Sequence, residues 1–403
     1  MAYFANTAGA ILGSVLTGFL FIPFLGVQPS IALLVLINGL TAIALLVGSR
    51  MNAEGAARSR FAGMLAATAL GLAILTGDNV FVRVLEDQIE RRLGGGDVIY
   101  YKEGVTATVS ALEVGPRKDR LLLVNSIVMT GKGLTPKLMG HLPALLHPQP
   151  RKALVVCFGI GTTFRSLAAH GLDVQGVELV PEEIETFPLF YKDARRVLDA
   201  PHHRIEINDG RNHLLLSRKT YDIITVDPSP PMYSSGTVNL LTPEFYRLCR
   251  RRLTEDGLMC MWFFLPTCRI SEFQMLLKSF MTVFPHTTLW EAPEIYGVMA
   301  IGAKHPLRID RAEMARRIGQ PAVQADVREA LAADAAFDAE RLLSLFMFGR
   351  RRLWQMVKNG PDLTDDTPYI EHPLLTWWRD PHRLDAARFF QAPRDDVSAY
   401  VMP

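Results

Sequence analysis

Two glycines and a glutamate follow two apolar runs in the middle of the chain. Gly159 and Gly161 come at the end of the run 153–158, and Glu178 ends the next run, 17 residues past Gly161. Glycine lets the backbone turn tightly and approach a ligand closely, and a carboxylate at this distance can accept hydrogen bonds from both hydroxyls of a ribose. The pattern predicts a nucleoside site; a plain turn and a solvated strand-end carboxylate are the alternatives. Phe164 stands where the dinucleotide fingerprint has its third glycine, which disfavours NAD.

Two further acidic positions follow the next two apolar runs. Asp209, which precedes Gly210, either accepts a hydrogen bond from the exocyclic amine of adenine or caps the helix predicted from Arg211. Asp227 is followed by prolines, which impose a loop up to Leu240 that suits a pocket lid. We expect Asp227 to face the reacting end of the ligand, with a turn or capping aspartate as the alternative. Acidic or glycine features after four successive strands favour an adenosine that lies across the strand tips.

The elements that must position these residues form a regular alternation of strands and helices. Continuous apolar runs are typical of strands covered by helices on both faces of a parallel sheet, so we predict a Rossmann-like, doubly wound α/β fold. A charged helix (80–93) and a small β unit (98–114 and 121–129) precede it. The predicted strands are 153–158, 174–178, 204–207, 221–226, 257–264, 287–290 and 296–302. The predicted helices are 163–170, 181–194, 212–218, 243–253 and 271–283.

The first 49 residues contain no Asp, Glu, Lys or Arg. A helix needs about 20 apolar residues to cross a bilayer. The stretch predicts two such helices, at 8–26 and 31–47, and 61–77 is a third, shorter candidate. The loop 50–60 carries three arginines, which favours the cytoplasmic side. If all three segments cross, this loop and the large C-terminal part lie on opposite sides of the membrane. A nucleoside cofactor is expected only in the cytoplasm, so either the rule for positively charged loops fails here or the third segment does not cross.

The rest of the composition excludes several classes of function. The net charge of +2 gives no sign of a nucleic-acid partner, and the four cysteines and ten histidines show no metal-ligand spacing. After residue 307 the pattern predicts helices at 311–318, 327–333 and 340–357. The sequence therefore predicts four parts: membrane helices (1–77), a juxtamembrane helix with the β unit (78–134), the nucleoside-binding domain (135–306) and a helical extension (307–403).

Several motifs between residues 100 and 302 resemble those of the spermidine synthases, the polyamine aminopropyltransferases. They are EGVTATVSALE, LLLVNSIV, HLPALLHP, GIG, VELVPE, NDGRNHL, YDIITVDPSPP and LLTPEFYRL. The apolar N-terminus and the segment 362–372 resemble parts of bacterial proteins that fuse transporter-like membrane helices to such a domain. The membrane part is shorter here, so either Met1 is not the natural start or the membrane domain is reduced.

The resemblance implies a fold of the class I methyltransferase and spermidine synthase type and the transfer of an aminopropyl group. In that reaction an amine attacks the carbon beside a sulfonium, and methylthioadenosine leaves. Asp227 corresponds to the proton-accepting aspartate. Glu178 corresponds to the ribose ligand and Asp209 to the adenine ligand, with Gly210 beside it, while Gly159 and Gly161 form the glycine loop.

The chain departs from the family pattern in the half of the site that would hold the polyamine. Pro230 stands where the family has a second carboxylate, and Ile160 stands where its glycine loop has an aspartate. Thr135 and Lys137 replace a tyrosine and a glutamate, and Met129 lies near the position of a glutamine. From these replacements we expect a pocket that has lost acids and gained a lysine. Leaving the charges of a polyamine unpaired there would be costly.

Three functions stay open at this point. The first is a membrane-attached, aminopropyltransferase-like enzyme that uses S-adenosylmethionine or its decarboxylated form as co-substrate, with no permanently bound cofactor and no metal. The second is a methyltransferase on the same fold, and the third is a membrane protein that senses a nucleoside without turnover. The expected partners are a small amine or other acceptor and membrane lipid, and homodimer formation is undecided. The expected location is the inner membrane, with the catalytic domain in the cytoplasm.

Overall fold

The computed structural model describes residues 2–48, 62–71, 73, 79–228, 234–266, 268–294, 297–332, 335–380 and 382–402. The chain divides into two compact units, Met1–Val128 and Met129–Pro403. Each unit is described by itself below. The finer division into four parts stays a prediction.

The first unit begins with apolar helices. Helix α1 (Ala2–Leu16) continues through a π-helical turn (Thr17–Phe21) into α2 (Ile22–Leu25), and α3 is Val27–Gly48. Two windows, Tyr3–Leu25 and Val27–Ala44, are long and apolar enough to cross a membrane, with mean hydropathies of 2.0 and 1.8. The first of them has none of its residues buried inside the protein. Such surface would be stable in lipid but not in water.

The third predicted apolar segment is described only in part. Helix α4 covers Ala62–Gly71, which is shorter than a bilayer requires. Several residues of the predicted span 61–77 lie outside the described residues. Its crossing of a membrane stays a prediction.

Helix α5 (Val80–Leu93) has the predicted bounds, but the β unit has four strands where the sequence predicted two. The strands β1 (Gly96–Glu103), β2 (Thr108–Val114), β3 (Asp119–Val124) and β4 (Ile127–Gly131) form one sheet in that order. The third and fourth strands are separated by Asn125 and Ser126, which both have positive φ, at 49° and 63°. Two consecutive left-handed residues are the signature of a tight hairpin turn, here without the usual glycine.

The second unit contains an eight-stranded sheet. Its strands are β5 (Lys152–Val156), β6 (Asp173–Glu178), β7 (Arg204–Ile207), β8 (Tyr221–Val226), β9 (Leu253–Phe264), β10 (His286–Ala292), β11 (Gly297–Ala303) and β12 (Phe346–Phe348). The spatial order is β12-β10-β11-β9-β8-β5-β6-β7. The pairs from β7 to β9 are parallel, and the remaining pairs are antiparallel. This is the predicted Rossmann-like arrangement, with an antiparallel edge.

Helices lie between the strands. They are α6 (Leu134–Leu146), α7 (Thr162–Ala168), α8 (Pro181–Phe190), α9 (Ala194–Leu198), α10 (Gly210–Leu216), α11 (Ser235–Val238), α12 (Pro243–Arg252) and α13 (Ile270–Val283). Five of them correspond to predicted helices, while α6, α9 and α11 were not predicted. Along β9, Met259 and Met261 belong to one apolar core cluster and Cys260 and Trp262 to another. Successive side chains of a strand point to opposite faces, so the sheet is covered on both.

The C-terminal extension differs from the prediction in two respects. The helix predicted at 327–333 is wrong, because the helix in this region is Pro321–Arg328 and residues 329–331 form a turn. The helices α14 (Arg311–Ile318), α15 (Pro321–Arg328), α16 (Ala339–Ser344) and α17 (Arg350–Val357) are present, followed by α18 (Pro373–Arg379) and α19 (Ala386–Gln391). The single helix predicted over 340–357 is wrong, because β12 interrupts it and pairs with β10. The apolar run Phe346-Met347-Phe348 is fully buried at that sheet edge, and Gly349 separates it from the next helix.

Candidate functional site

The glycine loop after β5 adopts the conformation that its residue types predict. Gly159 and Gly161 have φ values of 55° and 74°, in the left-handed region that favours glycine. A Cβ atom on Gly161 would lie 2.7 Å from ring carbons of Phe158 and Phe187, whereas a Cβ on Gly159 would meet only Thr130 at 3.8 Å. Gly161 is therefore required for packing as well as for the turn. The open space beside Gly159 leaves its backbone accessible to a ligand.

Glu178 holds this loop in place. Its side chain is only 6% exposed. One carboxylate oxygen accepts a hydrogen bond from the backbone N–H of Phe158 (2.7 Å), and the other accepts from Leu179 and Val180 (2.7 and 2.9 Å). Burial raises the pKa of this carboxyl, and the backbone N–H donors oppose that rise. Its place beside the glycine loop agrees with the predicted one, and its role as a ribose ligand stays a prediction.

Asp209 caps the helix after β7. Its side chain accepts a hydrogen bond from the backbone N–H of Asn212 at 2.8 Å, and α10 begins at Gly210. This geometry matches the capping alternative, and it leaves the second carboxylate oxygen for another donor. A Cβ on Gly210 would overlap Val156, so close packing of α10 against β5 requires this glycine. Adenine binding at these two residues stays a prediction.

Asp227 follows the last residue of β8, beside the glycine loop. Its backbone N–H donates to the carbonyl of Val156 at 3.3 Å, which continues the parallel ladder by one residue. The side chain is half-buried, and desolvation raises the pKa of the carboxyl from 3.8 to about 7. A carboxyl that titrates near neutral pH is suited to accepting and releasing a proton.

A cavity opens over these strand ends. Its lining combines Asp227 and the glycine loop with residues of α6, α7 and α8. The lining residues are Met129, Thr130, Thr135, Pro136, Cys157, Phe158, Gly159, Ile160, Thr162, Thr163, Glu183, Asp227, Pro228 and Trp262. Among the described residues, this lining contains two carboxyl groups and no lysine, arginine or histidine. The cavity is therefore suited to a positively charged ligand.

Sequence reasoning missed Glu183 and Trp262 as cavity residues. Glu183 lies on the first turn of α8 and is 5% exposed. Its position one turn after a strand end carries no motif, and only the packing of α8 beside the glycine loop brings it to the cavity. Four of the five positions where the sequence departs from the family pattern fall into two groups. Met129, Thr135 and Ile160 line the cavity, while Pro230 lies outside the described residues.

The expectation that the pocket gains a lysine is wrong. Lys137 is 1% exposed and lies outside the cavity lining, and its ammonium is 2.9 Å from the Asp326 carboxylate. Asp326 is also bonded to His141 (2.9 Å) and Ser166 (2.6 Å) and is paired with Arg165. The lysine is thus neutralised by α15 in a buried polar network. The described lining therefore keeps its two carboxyl groups and gains no cation from Lys137.

The predicted lid after Asp227 is described in part. Residues 229–233 lie outside the described residues, and α11 occupies part of the stretch that was predicted as loop up to Leu240. Val238 and Leu241 are fully buried, which fixes the end of this stretch against the core. Among the described residues, no group of three or more metal-ligating side chains occurs.

Comparison with known proteins identifies the central part of the chain. The spermine/spermidine synthase domain matches residues 134–299. The chain is 30% identical to the polyamine aminopropyltransferase of Thermotoga petrophila over 156 residues, which are 38% of this chain and 52% of the relative. It is 27% identical to the Bacillus subtilis enzyme over 202 residues, covering 47% of this chain and 72% of that one. The match thus spans about half the length of the first curated relatives.

Two solved structures share the fold. A spermidine synthase in complex with the transition-state analogue AdoDATO superimposes with a TM-score of 0.51 at 21% identity, covering 65% of this chain and 88% of the other. The spermidine synthase from Thermotoga maritima gives a TM-score of 0.50 at 21% identity, with 65% and 87% covered. The fold is thus that of the spermidine synthases, and residues 134–299 are similar to the spermine/spermidine synthase domain.

Proposed function

We propose that this protein is an aminopropyltransferase that moves the aminopropyl group of decarboxylated S-adenosylmethionine to an amine. The observation that carries the proposal is the cavity at the strand ends, which is lined by carboxylates without a cation and contains Asp227 with a pKa of about 7. Both substrates of such a reaction are positively charged. A cavity lined by carboxyl groups favours both, because a bound cation promotes their ionisation, and a carboxylate that titrates near pH 7 can take the proton that the amine must lose.

The nucleoside would lie over the glycine loop. The backbone at Gly159 is open to a ligand, and Glu178 fixes the loop through three backbone hydrogen bonds. In this proposal the free lone pairs of Glu178 accept from the ribose hydroxyls, and the uncapped oxygen of Asp209 accepts from the adenine amine. The matched motifs GIG, VELVPE and NDGRNHL support the same placement.

The chemical step moves the three-carbon aminopropyl group from sulfur to nitrogen. The amine nitrogen attacks the methylene carbon beside the sulfonium, a C–N bond forms, and the C–S bond breaks with its electron pair going to sulfur. Neutral methylthioadenosine leaves, and the Asp227 carboxylate accepts the proton released by the amine. The acidic lining stabilises the cationic amine before and after the transfer.

Attachment to a membrane is the second part of the proposal. The windows Tyr3–Leu25 and Val27–Ala44 satisfy the length and hydropathy of spanning helices, and large apolar side chains such as Phe19 and Phe24 are more than 70% exposed. We expect these helices to lie in the inner membrane, with the catalytic domain on the cytoplasmic side where the nucleoside is available.

Replacement of Asp227 tests the proposed catalytic role. Full-length protein in detergent micelles is incubated with decarboxylated S-adenosylmethionine and a panel of amines, and transfer is followed in the wild type and in Asp227→Asn. We expect the replacement to lower the rate of transfer by about 10²–10⁴-fold, the usual contribution of a general base. The matched control is Asp209→Asn, which keeps a cap-forming oxygen and should weaken nucleoside binding without removing the base. Equal turnover by wild type and Asp227→Asn would exclude the role.

A further inference from the structure

Glu183 is a buried carboxylate that faces the cavity without a partner. The side chain is 5% exposed and lines the cavity together with Ile160 and Thr162. Within the described part of the chain, no hydrogen bond or ion pair to its carboxylate is present. An isolated buried carboxylate is costly, so this group stays ionised only when a cation pairs with it. Its place in the cavity lining lets a bound ligand supply that cation.

The groups around Glu183 make it more receptive to a cation. Glu178 and Glu182 are its charged neighbours, and both are buried carboxyls on the same strand end and helix turn. Burial and these two acids raise the pKa of Glu183 well above its ordinary value. A bound cation would lower the cost of ionising it, and no cationic side chain in the cavity lining competes for that role.

The two other acids at this edge have different positions. Glu178 directs its oxygens to the backbone N–H groups of Phe158, Leu179 and Val180. Asp227 follows β8, which lies on the opposite side of β5 from β6 and α8. Burial alone raises the pKa of Asp227, and Glu183 does not contribute to that rise. Glu183 is therefore a separate negative point in the cavity, on the side of α8.

The two candidate sulfonium co-substrates differ in charge on the arm that is transferred. The decarboxylated form ends in an ammonium group, while S-adenosylmethionine carries an ammonium and a carboxylate on the same carbon. A carboxylate of the ligand would meet Glu183 and Asp227 with no cation in the lining to neutralise it. Like charges in a desolvated site are strongly unfavourable.

We propose that Glu183 is the specificity-determining residue that pairs with the ammonium group of the transferred arm and excludes co-substrates that carry a carboxylate there. The inference rests on the proposed function and deepens it. In this proposal Ile160 of the glycine loop packs against the methylene groups of the transferred arm. Glu183 on α8 supplies the negative charge that pairs with the ammonium group.

Binding measurements on Glu183→Gln test the assignment. Full-length wild type and Glu183→Gln are titrated by calorimetry with decarboxylated S-adenosylmethionine, S-adenosylmethionine and methylthioadenosine, which lacks the charged arm. We expect the wild type to prefer the decarboxylated form. Glu183→Gln should lose roughly tenfold or more of its affinity for that form and keep its affinity for methylthioadenosine. The control Glu185→Gln removes the same charge from an exposed position of α8 and should change none of the three affinities.

The outcomes separate this inference from the proposed function. An unchanged affinity ratio between the decarboxylated form and methylthioadenosine in Glu183→Gln overturns the inference. If that ratio falls as expected while the wild type forms no product with any amine, the inference holds and the proposed transfer is wrong. If Glu183→Gln no longer binds methylthioadenosine, the residue serves the nucleoside instead of the arm, which also overturns the inference. If the wild type binds none of the three ligands, both are wrong.

Discussion

The side-chain nitrogen of Lys137 lies 2.9 Å from Oδ1 of Asp326, and neither side chain is more than 3% exposed. The pair joins α6, at the start of the family domain, to α15 in the C-terminal extension. His141 and Ser166 also bond to Asp326, so a single carboxylate holds three elements together. These partners keep the pKa of Asp326 well below its usual range, although burial opposes them. The extension is thus part of the second compact unit, Met129–Pro403.

Removing the charge of Asp326 should destabilise this unit. Asp326→Asn leaves the Lys137 ammonium buried without its main counter-charge, and we expect the free energy of unfolding to fall by about 3–5 kcal/mol. Glu329→Gln is the control, because Glu329 also contacts Lys137 but is 40% exposed and should cost at most about 1 kcal/mol. Denaturant unfolding of the full-length protein in detergent measures both. Equal effects of the two replacements would show that the buried pair has no special role.

The two loop glycines should differ in their tolerance of alanine. Gly161→Ala adds a Cβ that overlaps two aromatic rings at a positive φ, and we expect a loss of about 2–4 kcal/mol of stability together with nucleoside binding. Gly159→Ala meets only the backbone strain of about 1 kcal/mol. Thermal unfolding and methylthioadenosine titration distinguish the two. A Gly159→Ala protein that is as unstable as Gly161→Ala would contradict the loop geometry.

Ionisation of Asp227 should make activity and stability change in opposite directions with pH. The base is active when ionised, so kcat/KM should rise with pH and level off above about 7. The folded-state pKa is raised above the unfolded value, so the folded protein keeps a proton that the unfolded chain has released. Stability is therefore lost as the pH rises from about 4 to 7.

The same reasoning predicts the behaviour of Asp227→Asn. At pH 8 the replacement should stabilise the protein by about 1–4 kcal/mol, since no charge is then buried, and at pH 4 it should have little effect. Unfolding curves at the two pH values test this. A variant that is destabilised at pH 8 would mean that the ionised carboxylate has a stabilising partner, contrary to the geometry.

The apolar N-terminus should anchor the protein. We expect the full-length chain to stay in the membrane fraction after an alkaline wash. Leu12→Lys combined with Ile37→Lys places one charge near the middle of each candidate span, where each costs about 2.5–3.5 kcal/mol of insertion free energy. This variant should appear in the soluble or aggregated fraction, while the paired alanine variant should remain in the membrane. Release of the unmodified protein by the wash would contradict membrane attachment.

Sequence patterns were sufficient wherever the local signal was strong. The strands 204–207 and 221–226 and the helices 80–93 and 311–318 have the predicted bounds, because apolar runs and capping residues define them locally. The turn at Asn125 and Ser126 was missed because neither residue is glycine. The strand Phe346–Phe348 was missed because its partner β10 lies more than 50 residues away, and only burial at a sheet edge separates it from a helical turn.

Contacts between residues far apart in the sequence determine which charged side chains line the cavity. Lys137 was expected in the pocket, but its counter-charge Asp326 lies 189 residues away in the sequence. Glu183 was not expected in the pocket but lines it, because the packing of α8 beside the glycine loop brings this residue to the cavity. Asp227, by contrast, could be predicted, because the carboxyl ends of parallel strands meet at one edge of the sheet and a ligand site is expected there.

The nucleoside product tests the proposed transfer most directly. Full-length protein is incubated separately with S-adenosylmethionine and with its decarboxylated form in the presence of amines, and the products are identified by mass spectrometry. We predict methylthioadenosine from the decarboxylated form, together with an amine that has gained an aminopropyl group. S-adenosylhomocysteine and a methylated acceptor, formed from S-adenosylmethionine, would contradict the account and assign the protein to the methyltransferases, and nucleoside binding without any product would favour a sensor.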